Sequence, residues 1–320
     1  MTPSAEAPAD RLGALLQHRV LLVTGKGGVG KSTVAASLAL AAAQRGKRVL
    51  LLELGARSVT GELLGARSGQ HVAQLPLPDR FPTLWLAHLN PHQALKEYLR
   101  EQLKLDRLVS LATDNKILAR LWQAAPSINE MALLNALLAL ERDTLGDGRV
   151  RYEQIVVDMP ATGHALATLG TPGGALGMIR VGTLAERARA IDVMLHDPRR
   201  TAVVMVTLAE ELPVNETVEL DRALREQLRI TPAQLIVNRV LPEILTTAER
   251  ALVNRLSGTE AVADGQHLLD RVAALEERRR LQLSRLALLK TRIAAPLLEI
   301  PELGERGPAL VEAAAASLGA

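Results

Sequence analysis

Residues Gly25 to Thr33 read Gly-Lys-Gly-Gly-Val-Gly-Lys-Ser-Thr and directly follow the apolar run Val20-Leu21-Leu22-Val23. A strand that ends in such a loop and leads into a helix admits few folds. Gly25, Gly27, Gly28 and Gly30 let the backbone curl tightly, so that successive N–H groups, that of Val29 among them, point at phosphate oxygens. Residues 32–44 are almost all Ala, Leu, Val and Ser, which predicts a helix whose N-terminus adds partial positive charge to the anion site. Lys31 is expected to reach the β- and γ-phosphates, the Ser32 hydroxyl to ligate Mg²⁺, and Thr33 to close the motif. A chance glycine-rich turn would not carry strand, helix and every motif position together.

Strand-like and helical runs alternate along the rest of the chain. Strands are predicted at Val20–Thr24, Arg48–Glu53, Leu84–Leu89, Gln154–Asp158, Ala202–Thr207, Leu235–Asn238 and Leu297–Ile300. This alternation predicts an α/β fold with a doubly wound, mostly parallel sheet. Helical insertions at about 91–142, 172–200 and 243–290 are expected to build a subdomain on it. The first should break near Ala125-Pro126, because proline and the residue before it resist helix continuation. The second is read as one stretch from about Leu176 to Leu195, and in the third Leu268, Val272 and Leu275 share a face. Arg278-Arg279-Arg280, beside Glu276 and Glu277, reads as a solvated helix face. The run Met131–Leu140 reads as core packing before it reads as a groove for a hydrophobic client. Residues 1–17 are expected to form a flexible terminus and 18–320 a single domain.

Composition narrows the functions. In 320 residues there is no cysteine. Within the chain this leaves no disulfide, cysteine-ligated zinc, iron–sulfur cluster or thiol site for arsenite. A formal charge of +3, mixed along the chain, gives no strong nucleic-acid signal. Aromatic residues at 2% leave few platforms for stacked bases. No apolar run approaches the roughly 18 residues of a membrane span, and Met1–Asp10 lacks the basic and apolar regions of a signal peptide. A cytoplasmic protein is expected. The alanine-rich end, Ala309–Ala320, carries Glu312 and no basic residue, so any membrane contact is expected to be indirect.

Tyr152 to Asp158 is an apolar strand ending in an acid, and Asp158 is placed to hold the Mg²⁺ shell. The turn Met159-Pro160-Ala161-Thr162-Gly163-His164 follows it and is suited to move when a γ-phosphate leaves.

Lys26 exceeds what a phosphate loop requires. With it, the loop resembles the deviant Walker A motif of dimeric ATPases. Asp158–His164 is similar to the switch II signature of the arsenite-pump and tail-anchored-protein targeting ATPase family. Pro126-Ser127-Ile128-Asn129-Glu130 and Glu210–Thr217 are similar to two further segments of that family, so the resemblance runs from about Val20 to Leu310. It implies an ATPase using ATP and Mg²⁺, working as a homodimer or as a heterodimer with a related ATPase on an unknown client protein. It implies that Lys26 crosses the dimer interface to the partner's nucleotide, that Gly163 belongs to the nucleotide site, that Asn238 reads adenine and that Pro301 walls the base.

The pattern breaks at switch I. The family's water-orienting Asp follows the second strand, and in Glu53-Leu54-Gly55-Ala56-Arg57-Ser58 its place falls on Leu54. Leucine neither accepts a proton nor holds a water. Glu53 is the candidate substitute, although strand alternation turns neighbouring side chains to opposite faces. Slow turnover is expected, since phosphoryl transfer depends on positioning. A regulatory subunit that binds ATP without cleaving it, and a positioning ATPase acting on DNA or membrane, are the two alternative readings.

Overall fold

The computed structural model describes residues 8–54, 59–65, 75–77, 81–103, 126–256 and 266–319. The parts of the switch I and first-insertion readings that fall on 55–58 and 104–125 lie outside them.

Eight strands form one sheet: β1 (Val20–Gly25), β2 (Val49–Leu54), β3 (Leu75–Leu77), β4 (Phe81–Leu89), β5 (Gln154–Asp158), β6 (Thr201–Leu208), β7 (Gln234–Val240) and β8 (Leu297–Pro301). Their order is β3-β4-β2-β5-β1-β6-β7-β8. All seven predicted strands are present, and every pairing among them is parallel. The eighth, β3, pairs antiparallel with β4 at the edge. A three-residue strand with proline at its centre carries no alternation to read, and an edge is where proline is tolerated.

Side chains alternate across the central strands and feed two cores. Val20, Leu22, Leu50, Leu52, Ile155 and Val157 face one layer, while Leu21, Val23, Leu51 and Val156 face the other. The second layer is small and close-packed. Helix α2 (Lys31–Gln44) buries Val34 through Ala42 without interruption between the sheet and the C-terminal helix α11 (Gly307–Leu318). Helix α1 (Pro8–Leu15) belongs to the same layer, where Leu12, Leu15 and Leu16, spaced i, i+3, i+4, are buried. Residues 8–15 are therefore a packed element rather than part of a flexible terminus.

The opposite layer holds the insertions. The helices of this layer are α4 (Pro91–Leu103), α5 (Pro126–Arg142), α6 (Thr162–Met178), α7 (Thr183–His196), α8 (Glu211–Glu226), α9 (Thr247–Leu256) and α10 (Gln266–Arg292), of which α8 lies between the second and third insertions and α6 begins ahead of the second. The four-residue α3 (Thr60–Leu63) follows β2 on the α2 side. Helix α5 starts at Pro126, where the break was expected, and Met131, Leu133, Leu134, Leu137 and Leu138 are core residues. The single helix expected near 176–195 is two helices, hinged at Gly182 with φ 93°. The first of them begins at Thr162, directly after β5. Helix α10 buries Gln282, Leu286 and Leu289 in its C-terminal half, whereas Leu268 near its start is 57% exposed.

Candidate functional site

The phosphate loop sits where β1 gives way to α2, near the middle of the sheet. Gly25 has φ 152°, and a Cβ there would lie 2.2 Å from the Val206 carbonyl oxygen of the neighbouring strand. Gly30 has φ 91°, and a Cβ there would lie 2.3 Å from the Asn238 amide nitrogen. Gly25 is closed to any other residue by backbone angle and by a neighbouring backbone carbonyl, and Gly30 by its backbone angle, reinforced by the Asn238 amide. Val29, buried at 1%, pins the crest of the loop into the core. Helix α2 starts at Gly30 with no side-chain cap, which leaves its first N–H groups for an anion. Lys31 extends back over the loop and donates to the Lys26 carbonyl oxygen at 2.9 Å; burial lowers its pKa, against the raising pull of Asp158.

Ser32 and Asp158 come together at the base of this cradle. The Ser32 hydroxyl donates to Asp158 Oδ2 at 2.6 Å, while Oδ1 is buried without a partner. Burial pushes the Asp158 carboxyl up to about 6, opposed by the Ser32 hydrogen bond, assisted by Glu53 and opposed again by Lys31. An unpaired buried carboxylate oxygen beside a hydroxyl is a hard-oxygen donor set of the kind Mg²⁺ takes, its other positions left to water and phosphate. The residues present therefore fit that ion. No group of three or more His, Cys, Asp or Glu able to hold a metal alone occurs among the described residues.

One strand pair further along, a cavity of about 330 Å³ opens beside the loop, lined by Thr33, Asn238, Arg239, Ile300, Pro301, Arg306 and their neighbours. Asn238 and Pro301, distant in sequence, thus face one space. Asn238 also braces the loop: its amide nitrogen donates to the Val29 carbonyl at 3.0 Å, and its Oδ1 accepts the Arg239 N–H at 3.0 Å. Each amide group keeps one further bonding capacity for a base edge.

A phosphate cradle, a serine–aspartate pair and a base-sized cavity at the carboxyl ends of the strands describe a nucleotide site, and the family profile called anion-transporting ATPase matches residues 18–179 and 177–261. The chain belongs to that family. As a member of the anion-transporting ATPase family it is an ATP-binding P-loop ATPase. It is 29% identical over 244 residues to the ATPase BagA of Mycobacterium tuberculosis, a match covering 73% of this chain and 68% of that one. It is 28% identical over 256 residues to a putative arsenical pump-driving ATPase of Halobacterium salinarum, covering 75% of this chain and 38% of that protein. An arsenical pump-driving ATPase of Escherichia coli is 27% identical over 240 residues, covering 69% and 39%. The chain thus spans about two fifths of the arsenical pump relatives.

Within this family member, the remaining predicted residues are occupied by contacts inside the chain. The Lys26 ammonium pairs with Glu216 of α8, whose second oxygen is buried without a partner. Glu53 and Asp158 are register partners on β2 and β5 and so share a face. Glu53 is 4% exposed; its Oε1 accepts the Val59 N–H at 2.6 Å and its Oε2 the Thr60 hydroxyl at 2.9 Å. In this geometry it fastens the chain entering α3. Leu54 turns to the other face and packs in the core with Leu89 and Met159. Gly163, in the first turn of α6, is exposed and has open space where a Cβ would be, so packing does not require glycine there.

Gln282 and Arg279 of α10 brace the end of β7. Gln282 of α10, 4% exposed, donates to the Arg239 carbonyl at 3.1 Å and accepts the Leu241 N–H at 2.8 Å. The Arg279 guanidinium donates to the Leu241 carbonyl, so the arginine run is not wholly a solvated face; Arg280 pairs with Glu277 and Arg278 with Glu302. A lone glutamine in a helix has no signal in sequence. A buried one hydrogen-bonded at both ends is visible only in the fold.

Proposed function

We propose that this ATPase is a Mg²⁺-dependent switch, acting as a homodimer or paired with a related ATPase, whose nucleotide state sets the geometry of the α4–α10 layer toward a partner protein. The observation that carries it is the Ser32–Asp158 pair with its free buried oxygen, placed where α6 departs from β5. When bound, Mg²⁺ would neutralise phosphate charge and draw on Asp158 and Ser32. The chain's own groups do the rest. Lys31 gives up the Lys26 carbonyl for phosphate oxygens, and the loop N–H groups hold them. Loss of the γ-phosphate changes what the Asp158–Gly163 segment faces, and α6 transmits the change to α7.

The far end of that lever is apolar. Met178 (79% exposed), Ile179, Val181 (83%) and Leu184 stand out around the hinge between α6 and α7, and they supply a surface whose cover can depend on nucleotide. Among the described residues no helix is long and apolar enough to cross a membrane. The chain has no cysteine with which to offer an arsenical a thiolate, so the client reading follows the hinge rather than the relatives' names.

The second reading, an ATP-binding subunit that does not cleave its nucleotide, is favoured by Leu54 in the core and by the two hydrogen bonds that occupy Glu53. Single-turnover hydrolysis of ATP by the wild-type protein, beside Asp158→Ala, separates the two. Product that disappears in the variant supports the switch; ATP that stays bound and intact supports the silent subunit.

A further inference from the structure

Strand β7 carries one residue too many. Val237 faces Glu299 and Val240 faces Pro301 across the β7–β8 pairing, three steps on one strand against two on the other. The extra residue lies in a β-bulge, and Arg239 there has φ 55°, left-handed backbone that a long side chain seldom adopts. The bulge decides where Arg239 goes. Ile236 belongs to the α2 layer, Val237 to the layer of α4–α10, and Val240 again to the latter. Simple alternation from Asn238 would send Arg239 toward α10. Instead Arg239 lines the same cavity as Asn238 and Pro301 and is exposed to it.

The conformation is held from every side. The Arg239 N–H is taken by Asn238 Oδ1, its carbonyl by Gln282 Nε2, the Leu241 N–H by Gln282 Oε1 and the Leu241 carbonyl by Arg279. A costly backbone conformation maintained by a buried glutamine, at the mouth of a binding cavity, points to a task for the side chain. Among the described residues the Arg239 guanidinium makes no ion pair. Ile300, Pro301, Leu303 and Leu310 give the cavity aliphatic wall beside the charged Glu302, Glu305 and Arg306, and no aromatic ring lines it.

We infer that Arg239 is the base-stacking residue of this site. Its planar, weakly hydrated guanidinium lies against one face of the adenine ring, and Pro301 bounds the other. Asn238 reads the base edge between them. Gln282 and Arg279 are positioning residues, which fix the bulge from the subdomain helix. The inference rests on the reading of the cavity as the base pocket of the ATP site.

The test compares binding of MgATP with binding of magnesium tripolyphosphate, which has phosphates but no base. Three variants are used. Arg239→Gly suits the left-handed backbone and removes the plane; Arg239→Lys keeps the charge without the plane; Arg239→His keeps a planar ring at a backbone angle histidine tolerates. The Gly and Lys variants are expected to lose about ten-fold in MgATP affinity, some 1.4 kcal/mol, with tripolyphosphate changed less than two-fold. The His variant should recover most of the loss. Equal loss for both ligands would make Arg239 a phosphate contact, and full affinity in the Lys variant would make charge sufficient; either result, or no loss in the Gly variant, overturns the inference. A wild-type protein whose MgATP binding is indifferent to Lys31→Ala would instead remove the underlying reading of the site.

Discussion

The phosphate end of the sheet and the outer half of the α9–α10 arm obey opposite rules. Around Gly25–Asp158 every conformation is over-determined. Gly25 and Gly30 hold positive φ angles that other residues resist, Val29 is buried, and Asp158 keeps a polar atom away from water without a partner. Along α9 and the first half of α10 no residue is buried, and Leu252 and Leu268 stand in solvent. Stability is sacrificed at the first place to pre-form a site, while the second is left unpacked. A binding site built for an anion must be ready before the anion arrives; a surface that changes with nucleotide state must not be locked in one arrangement.

The sharpest way to break the contrast is at Lys31. Truncation to alanine removes the ammonium proposed to hold the phosphates and should leave the fold intact, because its hydrogen bond goes to a loop carbonyl. MgATP affinity measured by calorimetry should fall at least 100-fold, with the thermal midpoint little changed. Retained affinity would show that the loop does not hold the triphosphate.

Asp158 tests the claim that the site is held at a cost. Its carboxyl ordinarily titrates near ~3.9, and burial lifts it to about 6 in the folded chain. The folded state therefore binds this proton more tightly than the unfolded state. Its contribution is most favourable below pH ~4 and is lost as the pH rises through about 6, a penalty of roughly 2–3 kcal/mol at neutral pH. Without nucleotide or Mg²⁺, Asp158→Asn should melt higher than wild type at pH 7, by roughly 3–4 °C, and the two should converge toward pH 4. The same variant should lose hydrolysis. A variant that melts lower at pH 7 would mean that the buried carboxylate stabilises the free protein.

What could be read beforehand divides along the same line. The seven parallel strands, α2 and the Asp158 strand end announce themselves through periodicity and glycine spacing, signals written within ten residues of one another. Contacts between distant polar groups leave no such trace. Nothing near Lys26 specifies Glu216, nothing near Arg239 specifies Gln282, and no residue type flags a bulge that arginine rather than glycine occupies. Switch I shows both cases. Leu54 could be seen as a departure in the sequence, but that Glu53 is held by Val59 and Thr60 required the fold. Helix α1 is hidden for a third reason: its apolar positions are legible, but a segment that docks is distinguished from one that does not only by the surface it meets.

Glu216 gives a smaller effect. Its pair with Lys26 is about one third exposed at each side chain, so Glu216→Gln should change stability by less than ~1 kcal/mol. If Lys26 serves a partner's nucleotide, freeing it should raise ATP-dependent self-association by two- to five-fold in sedimentation velocity, and Lys26→Ala should abolish the gain. Identical association in all three proteins would confine Lys26 to its own chain.

The smallest effect is expected in the arm. Leu252 and Leu268 are 47% and 57% exposed and bury little of their apolar area, so Leu252→Ser with Leu268→Ser should shift stability by no more than ~0.5 kcal/mol. MgATP affinity should stay within two-fold, because Gln282 and Arg279, which reach the bulge of β7, lie in the later part of α10 and are untouched. The pair of substitutions thus asks whether α10 is one lever or two halves. Unchanged affinity would mean that contact with the nucleotide begins near Arg279. A measurable loss would mean that the exposed half already bears on the bulge, and that the boundary between the rigid site and the yielding arm lies nearer the start of α10.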